Sequence, residues 1–245
     1  MTASRRIGFA VALLMLGACN QEAATATAKG KHVAAKAIAG RDWTKLVTET
    51  PDGGYLMGNP AAKVKLVEYG SLTCPHCAAF SRESAPLLIS DYVKPGLVSY
   101  EFRNFARDPL DLAAAVMLHC VGSGASFKLI DQLYADQDQW LGKLEKASPE
   151  DTARLNALPP DKAMGELVKF AGLDRFFAMR GLPSARGEQC LADKNRQQKI
   201  AGIRATAVQK YEVDGTPTFL INGEKAANTY DYTTLKPRLD EALGS

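Results

Sequence analysis

The chain has 245 residues, of which 46% are hydrophobic and 23% are charged. This composition provides for a packed core and excludes general disorder. The formal net charge is +3, and it falls to about +1 once Arg5 and Arg6 leave with a signal segment. Because so small a charge gives no basic surface for phosphate groups, we expect no nucleic-acid partner.

The N-terminus has the features of an export signal, since Arg5 and Arg6 precede a short apolar run over residues 7–16. Leu16-Gly17-Ala18-Cys19 resembles a bacterial lipobox, which implies that residues 1–18 are a lipoprotein signal peptide and that Cys19 is acylated. An ordinary signal with a chance cysteine, or a twin-arginine signal interrupted at Gly8, is the alternative.

Residues 19–42 are predicted to be a flexible tether, because they are rich in small and polar residues. Asn20 follows the lipobox cysteine, which slightly favours the outer membrane. We therefore expect a lipid-anchored protein of the bacterial cell envelope that faces the periplasm. That compartment is oxidising and permits disulfides.

Residues 43–106 have the order of a parallel strand–helix–strand unit. Apolar and β-branched runs predict strands at 44–48, 64–69 and 97–102, with a helix from 75 to about 92. These residues form the first part of a predicted α/β domain.

Residues 107–210 contain no convincing strand, and their apolar periodicity predicts several helices. This segment is therefore predicted to be an all-helical insertion within the α/β domain.

Residues 211–245 are predicted to complete the domain. A strand at 218–221 is followed by Asn222-Gly223, a strong two-residue hairpin signal. Leucines at 235, 239 and 243 predict a closing helix, and Pro237 indicates that this helix starts late.

Cys74 and Cys77 are separated by two residues, a spacing found in haem, zinc, structural and redox sites. Ala78 occupies the position where a c-type haem site needs histidine. Zinc would need two further ligands, and Cys120 and Cys190 are isolated single cysteines. A purely structural bond would close too small a loop to stabilise much. A redox pair is the favoured interpretation, and we expect no metal and no cofactor.

The sequence Cys74-Pro75-His76-Cys77 follows a predicted strand and opens a predicted helix. Backbone N–H groups and the positive end of the helix dipole favour a thiolate at Cys74, and Pro75 suits the first helical position. His76 is expected to stabilise that thiolate further, which makes the disulfide more oxidising. We expect Cys74 to be the exposed nucleophile and Cys77 the resolving thiol.

The chain resembles the DsbA-like branch of the thioredoxin superfamily at two motifs. Val67-Glu68-Tyr69-Gly70-Ser71, leading into the cysteine motif, resembles the family's strand and active-site segment, and Gly215-Thr216-Pro217-Thr218-Phe219 resembles its cis-proline loop. The resemblance implies a thioredoxin fold, with a central mixed sheet flanked by helices and an inserted all-helical domain.

The same resemblance implies roles for three residues. Pro217 would follow a cis peptide bond, and Thr216 would offer backbone hydrogen bonds to an extended substrate segment. Glu68 would be a buried acid that helps to move the proton of the resolving cysteine. The chain departs from the family at Ser81 and Arg82, where relatives often carry another acidic residue.

Cys120 and Cys190 both lie in the predicted insertion. A structural disulfide between them is favoured and would stabilise the fold by roughly 4 kcal/mol, and two buried free thiols are the alternative.

These features predict a monomeric dithiol oxidase that introduces disulfides into reduced exported proteins. By family resemblance, a membrane quinone-linked thiol oxidase would re-oxidise it. An isomerase or reductase of the same fold is the main alternative, since Thr216 before the proline also resembles those branches. A non-enzymatic lipoprotein with a structural cysteine pair is the third.

Overall fold

The structure, a computed structural model, describes residues 41–244. The predicted signal peptide 1–18, the predicted lipidation site Cys19 and the predicted tether up to residue 40 lie outside the described residues.

Within residues 41–244, six strands form one mixed sheet in the order β1-β2-β4-β3-β5-β6. The strands are β1 Val47–Glu49, β2 Tyr55–Met57, β3 Val64–Gly70, β4 Val98–Asn104, β5 Thr218–Ile221 and β6 Glu224–Lys225. Strands β3 and β4 are parallel, and every other neighbouring pair is antiparallel. The central strand β3 therefore joins the two parts of the domain that the insertion separates in sequence.

The helices are α1 Pro75–Glu83, α2 Ala85–Leu88, α3 Pro109–Val121, α4 Ser126–Ala135, α5 Gln137–Glu145, α6 Pro149–Asn156, α7 Pro160–Ala171, α8 Leu173–Ala178, α9 Ser184–Ala192, α10 Lys194–Tyr211 and α11 Tyr232–Leu243. A π-helical turn at Ile89–Val93 follows α2, and 3₁₀ turns lie at Trp43–Lys45 and Ser123–Ala125. The predicted fold class is confirmed: a mixed sheet flanked by helices, with an all-helical segment between β4 and β5.

Side chains on β3 alternate between two cores, as the strand period of two requires. Leu66 belongs to the large core that α1, α11 and the insertion helices share, whereas Val67 and Tyr69 pack with α10 on the other face. Glu68 has the parity of Leu66. Its carboxyl group therefore lies on the face of the sheet that α1 covers.

The structure corrects two sequence-based boundaries. Residues 43–45, which overlap the start of the strand predicted at 44–48, form a 3₁₀ turn that Asp42 caps, and the strand begins at Val47. The closing helix begins at Tyr232, so Pro237 lies inside it. The Asp231 capping box and three buried leucines on one face compensate for the N–H group that Pro237 lacks.

The hairpin prediction is confirmed at Asn222 and Gly223. Both residues have positive φ angles, 52° and 90°, as a two-residue hairpin turn requires. This turn pairs β5 with β6 and fixes the sheet edge that carries the cis-proline loop.

Helix α3 lies in the middle of the insertion, with most of its side chains buried. Within residues 41–244 no single helix has the length and hydropathy of a membrane span. In that range, only α3 taken together with the segment 123–135, at a bend of 111°, reaches that composition. Both of these helices contribute buried residues to the main core.

Candidate active site

The first cysteine of the motif lies at the point where β3 has ended and α1 begins. Cys74 is the N-cap of α1 with extended backbone angles, and Pro75 occupies the first helical turn. The N-cap position places the Cys74 sulfur near backbone N–H groups that have no partner within the helix. The sequence Cys-Pro-X-X therefore places a thiol, rather than the usual hydroxyl or carboxylate, at a helix N-terminus.

The surroundings of Cys74 lower its pKa to about 4. The largest cause is a hydrogen bond with the Cys77 thiol, followed among the favourable causes by the Thr216 side chain and the backbone N–H groups of Cys77 and His76. These donors outweigh burial, which acts in the opposite direction. Cys74 is therefore a thiolate at neutral pH.

The cis-proline loop lies against this sulfur. The peptide bond between Thr216 and Pro217 is cis, and the Cys74 sulfur lies 3.3 Å from the Thr216 carbonyl oxygen, to which it donates only while it carries its proton. Thr216 Oγ1 is buried and has no hydrogen-bond partner among the described residues. Its hydroxyl is therefore available to donate when the sulfur ionises.

The second cysteine has the opposite preference. Cys77 is fully buried, and burial raises its pKa well above that of a free thiol. The hydrogen bond with Cys74 and the nearby Glu68 carboxyl group raise the pKa further. Cys77 therefore keeps its proton in the reduced pair.

Glu68 lies beneath the two sulfurs and is 1% exposed. Burial raises its pKa to about 8, although a hydrogen bond donated by the Tyr100 hydroxyl acts in the other direction. Gly70 leaves room for the Glu68 and Phe102 side chains, because a Cβ atom there would lie 2.3 Å from Phe102 and 3.0 Å from Glu68 Oε1. At pH 7 a carboxyl group with this pKa is mostly protonated and can give up a proton.

The exposure of the motif differs from the prediction. Pro75 and His76 are exposed, whereas Cys74, predicted to be the exposed nucleophile, is only 2% exposed. The cause is the cis-proline loop and the start of α1, which enclose the residue between them. His76 contributes to the Cys74 thiolate through its backbone N–H group.

A groove of about 420 Å³ adjoins the cis-proline loop. Thr216, Pro217, Ala226 and Tyr230 are among the residues that line it, and Tyr230 is 62% exposed. An extended peptide is the ligand shape that such a groove next to a sheet edge can accept. Within residues 41–244, no three His, Cys, Asp or Glu side chains are grouped so as to hold a metal ion.

A comparison with known sequences identifies the family. The sequence model of the family described as thioredoxin matches residues 50–241, well over half of the chain. The chain belongs to the thioredoxin family.

Within that family, the chain is similar to solved structures and curated relatives that are named as a protein-disulfide isomerase, a DsbA protein and a protein-disulfide oxidoreductase. The crystal structure of a protein-disulfide isomerase from Novosphingobium aromaticivorans is 33% identical, with a TM-score of 0.74, and the match covers 82% of this chain and all of that one. Wolbachia pipientis α-DsbA1 is 25% identical, with a TM-score of 0.63, over 82% of this chain and 96% of that one. A Rickettsia prowazekii protein named as a protein-disulfide oxidoreductase is 28% identical over 82% of this chain. The chain spans only 65% of the length of that relative.

This thioredoxin-family chain has an acidic side chain near the position where Ser81 departs from the family pattern. Ser81 donates a hydrogen bond over 3.1 Å to Asp131, which lies on α4 of the insertion. The Asp131 charge raises the pKa of Glu68, and burial raises the pKa of Asp131 itself. Sequence analysis missed Asp131, because nothing in the local sequence of α4 indicates which helix it faces.

Asp111 is a second acidic residue that the sequence analysis missed. It is fully buried and accepts hydrogen bonds from Ser71 Oγ at 2.6 Å and from the Leu72 and Arg107 N–H groups at 2.9 Å. Burial raises its pKa to about 6. It ties the loop before Cys74 to the start of the insertion.

The other two cysteines lie away from the motif. Cys120 at the end of α3 and Cys190 in α9 are joined as a disulfide, with their Cα atoms 6.2 Å apart. The bond links two helices of the insertion. The structure therefore brings together Glu68, Cys74, Cys77, Thr216 and Pro217, and it places the second cysteine pair elsewhere.

Proposed function

We propose that this protein is a dithiol oxidase that transfers its Cys74–Cys77 disulfide to reduced exported proteins. One observation carries the proposal: the two sulfurs have opposite proton affinities, with the pKa of Cys74 lowered to about 4 and that of Cys77 raised. Such a pair has one good leaving and attacking sulfur and one sulfur that accepts a proton.

The reaction follows from this asymmetry. A substrate thiolate attacks Cys74 Sγ of the disulfide, the S–S bond breaks, and Cys77 leaves with the electron pair and takes up a proton. Glu68, protonated at neutral pH, is placed to supply that proton. A second substrate thiolate then attacks the substrate sulfur of the mixed disulfide and releases Cys74 as a thiolate. The substrate is oxidised by two electrons, and the cysteine pair is reduced.

The direction of transfer rests on the stability of the reduced form. Between pH 7 and a pKa of about 4, ionisation stabilises the reduced pair by about 4 kcal/mol. That corresponds to about 90 mV in the two-electron potential. A pair stabilised in this way gives up its disulfide readily, which supports an oxidase over a reductase.

The groove beside Pro217 supports an unfolded or extended protein substrate, which the Thr216 backbone can bind as an added strand. For re-oxidation we propose a membrane quinone-linked thiol oxidase. We also propose attachment through lipid on Cys19 at the envelope, facing the periplasm, because the sequence before that cysteine resembles a lipobox.

An isomerase is the second candidate. It is favoured by the likeness to the Novosphingobium protein-disulfide isomerase, which is 33% identical to this chain. An isomerase must attack a non-native disulfide of its substrate with the Cys74 thiolate. It is released when another substrate thiol displaces Cys74 and forms a different disulfide, so it works from the reduced form. The two candidates therefore differ in the redox form of the enzyme that enters the reaction.

The test is refolding of a reduced multi-disulfide protein with catalytic amounts of the oxidised enzyme and an excess of oxidised glutathione. We expect the wild type to speed disulfide formation and Cys74→Ser to lose that activity, by at least about a hundredfold. Cys77→Ser should instead accumulate mixed disulfides, because it retains the attacking sulfur and lacks the resolving one. A double Cys120→Ser, Cys190→Ser variant removes two cysteines away from Cys74 and should remain active.

A scrambled substrate separates the candidates. Faster rescue of a protein with non-native disulfides by the reduced enzyme, without faster oxidation of a reduced one, would favour the isomerase. Full activity of Cys74→Ser would exclude both.

A further inference from the structure

The helical insertion holds the loop that leads into the active site by donating hydrogen bonds to the carbonyl groups of that loop. Four consecutive carbonyl oxygens, from Ser71 to Cys74, each accept a side-chain hydrogen bond from a residue of the 107–137 segment. Tyr134 Oη donates to Ser71 at 3.1 Å, and Arg107 Nη2 donates to Thr73 at 2.9 Å. The Cys74 carbonyl also accepts the Ala78 N–H group at 3.1 Å, and it shares one side-chain donor with the Leu72 carbonyl.

That donor is Gln137, the first residue of α5. Its Nε2 atom lies 2.8 Å from the Leu72 carbonyl oxygen and 3.1 Å from the Cys74 carbonyl oxygen. An amide nitrogen carries two hydrogens, so one group can serve both oxygens. Gln137 is only 2% exposed, and the buried Trp140 on the same helix donates its indole N–H to Leu133, which anchors α5. A buried glutamine that donates both hydrogens to the backbone beside a reactive thiol is placed for more than packing.

We propose that Gln137 is a positioning residue that sets the reactivity of Cys74. The inference rests on the proposed thiol–disulfide exchange and names a residue of the insertion that tunes it. The Gln137 amide holds the loop so that the Cys74 sulfur keeps its N–H partners. It also draws electron density from the carbonyl oxygens of Leu72 and of Cys74 itself.

The electrostatic reason is local. Carbonyl oxygens carry partial negative charge, and an anionic sulfur in the same tight turn is destabilised by each one that lacks a donor. In a buried site these dipoles are weakly screened. Gln137 donates to two of them without adding a charge of its own, and among the described residues it is the only donor to the Leu72 carbonyl oxygen, whereas the Cys74 carbonyl oxygen also accepts the Ala78 N–H group. Arg107 and Tyr134 hold the neighbouring Thr73 and Ser71 carbonyls independently of Gln137, so we expect a change at Gln137 to act on the Leu72–Cys74 end of the loop rather than to unfold the whole loop.

The experiment uses Gln137→Met, which matches the length of glutamine and lacks the amide, with Gln139→Met as the control. Gln139 lies on the same helix and is exposed. Two quantities are measured on the full chain: the pKa of Cys74 from thiolate absorbance, and the equilibrium constant of the cysteine pair with glutathione. We expect Gln137→Met to raise the pKa of Cys74 and to shift the equilibrium about tenfold towards the disulfide. Gln139→Met should change neither.

A second variant, Gln137→Glu, keeps the shape and places an acceptor against the two carbonyl oxygens. It should shift both quantities in the same direction and further than Gln137→Met, and it tests the same point if the methionine variant fails to fold. A loss of folding stability with unchanged pKa and equilibrium constant in the folded variant would reduce Gln137 to a packing residue and overturn the proposal. That result is distinct from failure of the proposed function, which would appear as oxidase activity in Cys74→Ser.

Discussion

Cys74 and Cys77 are almost equally buried, but their pKa values are shifted in opposite directions. Cys74 is 2% exposed and Cys77 is 0% exposed, yet the pKa of the first is lowered to about 4 and that of the second is raised. Burial by itself disfavours both thiolates. Hydrogen-bond donors therefore make the difference, since the Cys77 thiol, the cis-proline loop and the helix N-terminus supply them to Cys74.

The region beneath Cys77 has the opposite character. Glu68 and Tyr100 are buried there, and the pKa of each is raised, chiefly by burial. This region holds protons, whereas the region around Cys74 releases one. A single helical turn can therefore separate an anionic sulfur from a neutral one when the donors around the first outweigh its burial and those around the second do not.

The Cys74 thiolate should have a large effect on the pH dependence of the free energy of unfolding of the reduced protein. In the reduced protein the pKa of Cys74 is about 4 when folded and about 9 when unfolded. A lowered pKa contributes stability that is fully present above pH 9 and is lost as the pH falls through 4. From pH 7 to pH 4 the reduced form should therefore lose about 4 kcal/mol relative to the oxidised form, which has no thiolate.

Urea unfolding of both redox forms across this pH range measures the difference. Glu68, Asp111 and His119 are present in both forms, so their own titrations largely cancel in the subtraction. A difference between the two forms that stays constant from pH 7 to pH 4 would contradict a thiolate at Cys74.

The sequence predicted most of the backbone features around Cys74 and fewer of the buried side-chain contacts around Cys77. A proline after a cysteine marks a helix start, and Asn222-Gly223 marks a hairpin, because both signals depend on backbone geometry that is local in sequence. Strand β2 was missed, since its three residues gain their pairing from β1 and β4 rather than from a pattern of their own. Gln137 and Asp131 were missed for the same reason. Their partners lie many residues away in the chain, and ordinary helical sequence surrounds them.

Replacement of Glu68, the buried acid beneath Cys77, should change both the stability and the rate of exchange. Glu68→Gln keeps an acceptor for the Tyr100 hydroxyl and removes the ionisable group. Because the folded pKa of Glu68 is about 8 and that of a free glutamate is 4.5, the wild type loses stability as the pH rises from 4.5 to 8. The variant should avoid this loss and be more stable at pH 7 by about 3 kcal/mol, while exchange slows about tenfold without the proton donor.

Thermal or urea unfolding at pH 5 and pH 7, together with the pH–rate profile of substrate oxidation, checks both parts. Glu83→Gln changes an exposed glutamate in the last turn of α1 and is the matched control. An unchanged rate and an unchanged pH dependence of stability in Glu68→Gln would remove Glu68 from the proton transfer.

A smaller change in rate is expected when Asp131 of the insertion is replaced, because its charge acts on the pKa of Glu68 from outside the pair of cysteines. Asp131 raises the pKa of Glu68, so Asp131→Asn should lower that pKa, by less than burial raises it, because burial is the largest cause of the shift. Carboxyl NMR of Glu68 measures the shift directly, and Asp138→Asn, an exposed aspartate on α5, is the control. A lower Glu68 pKa makes the carboxyl group a better proton donor and leaves less of it protonated at pH 7. The alkaline fall in the oxidation rate should therefore begin at lower pH in Asp131→Asn, and an unaltered profile would mean that Asp131 only binds Ser81.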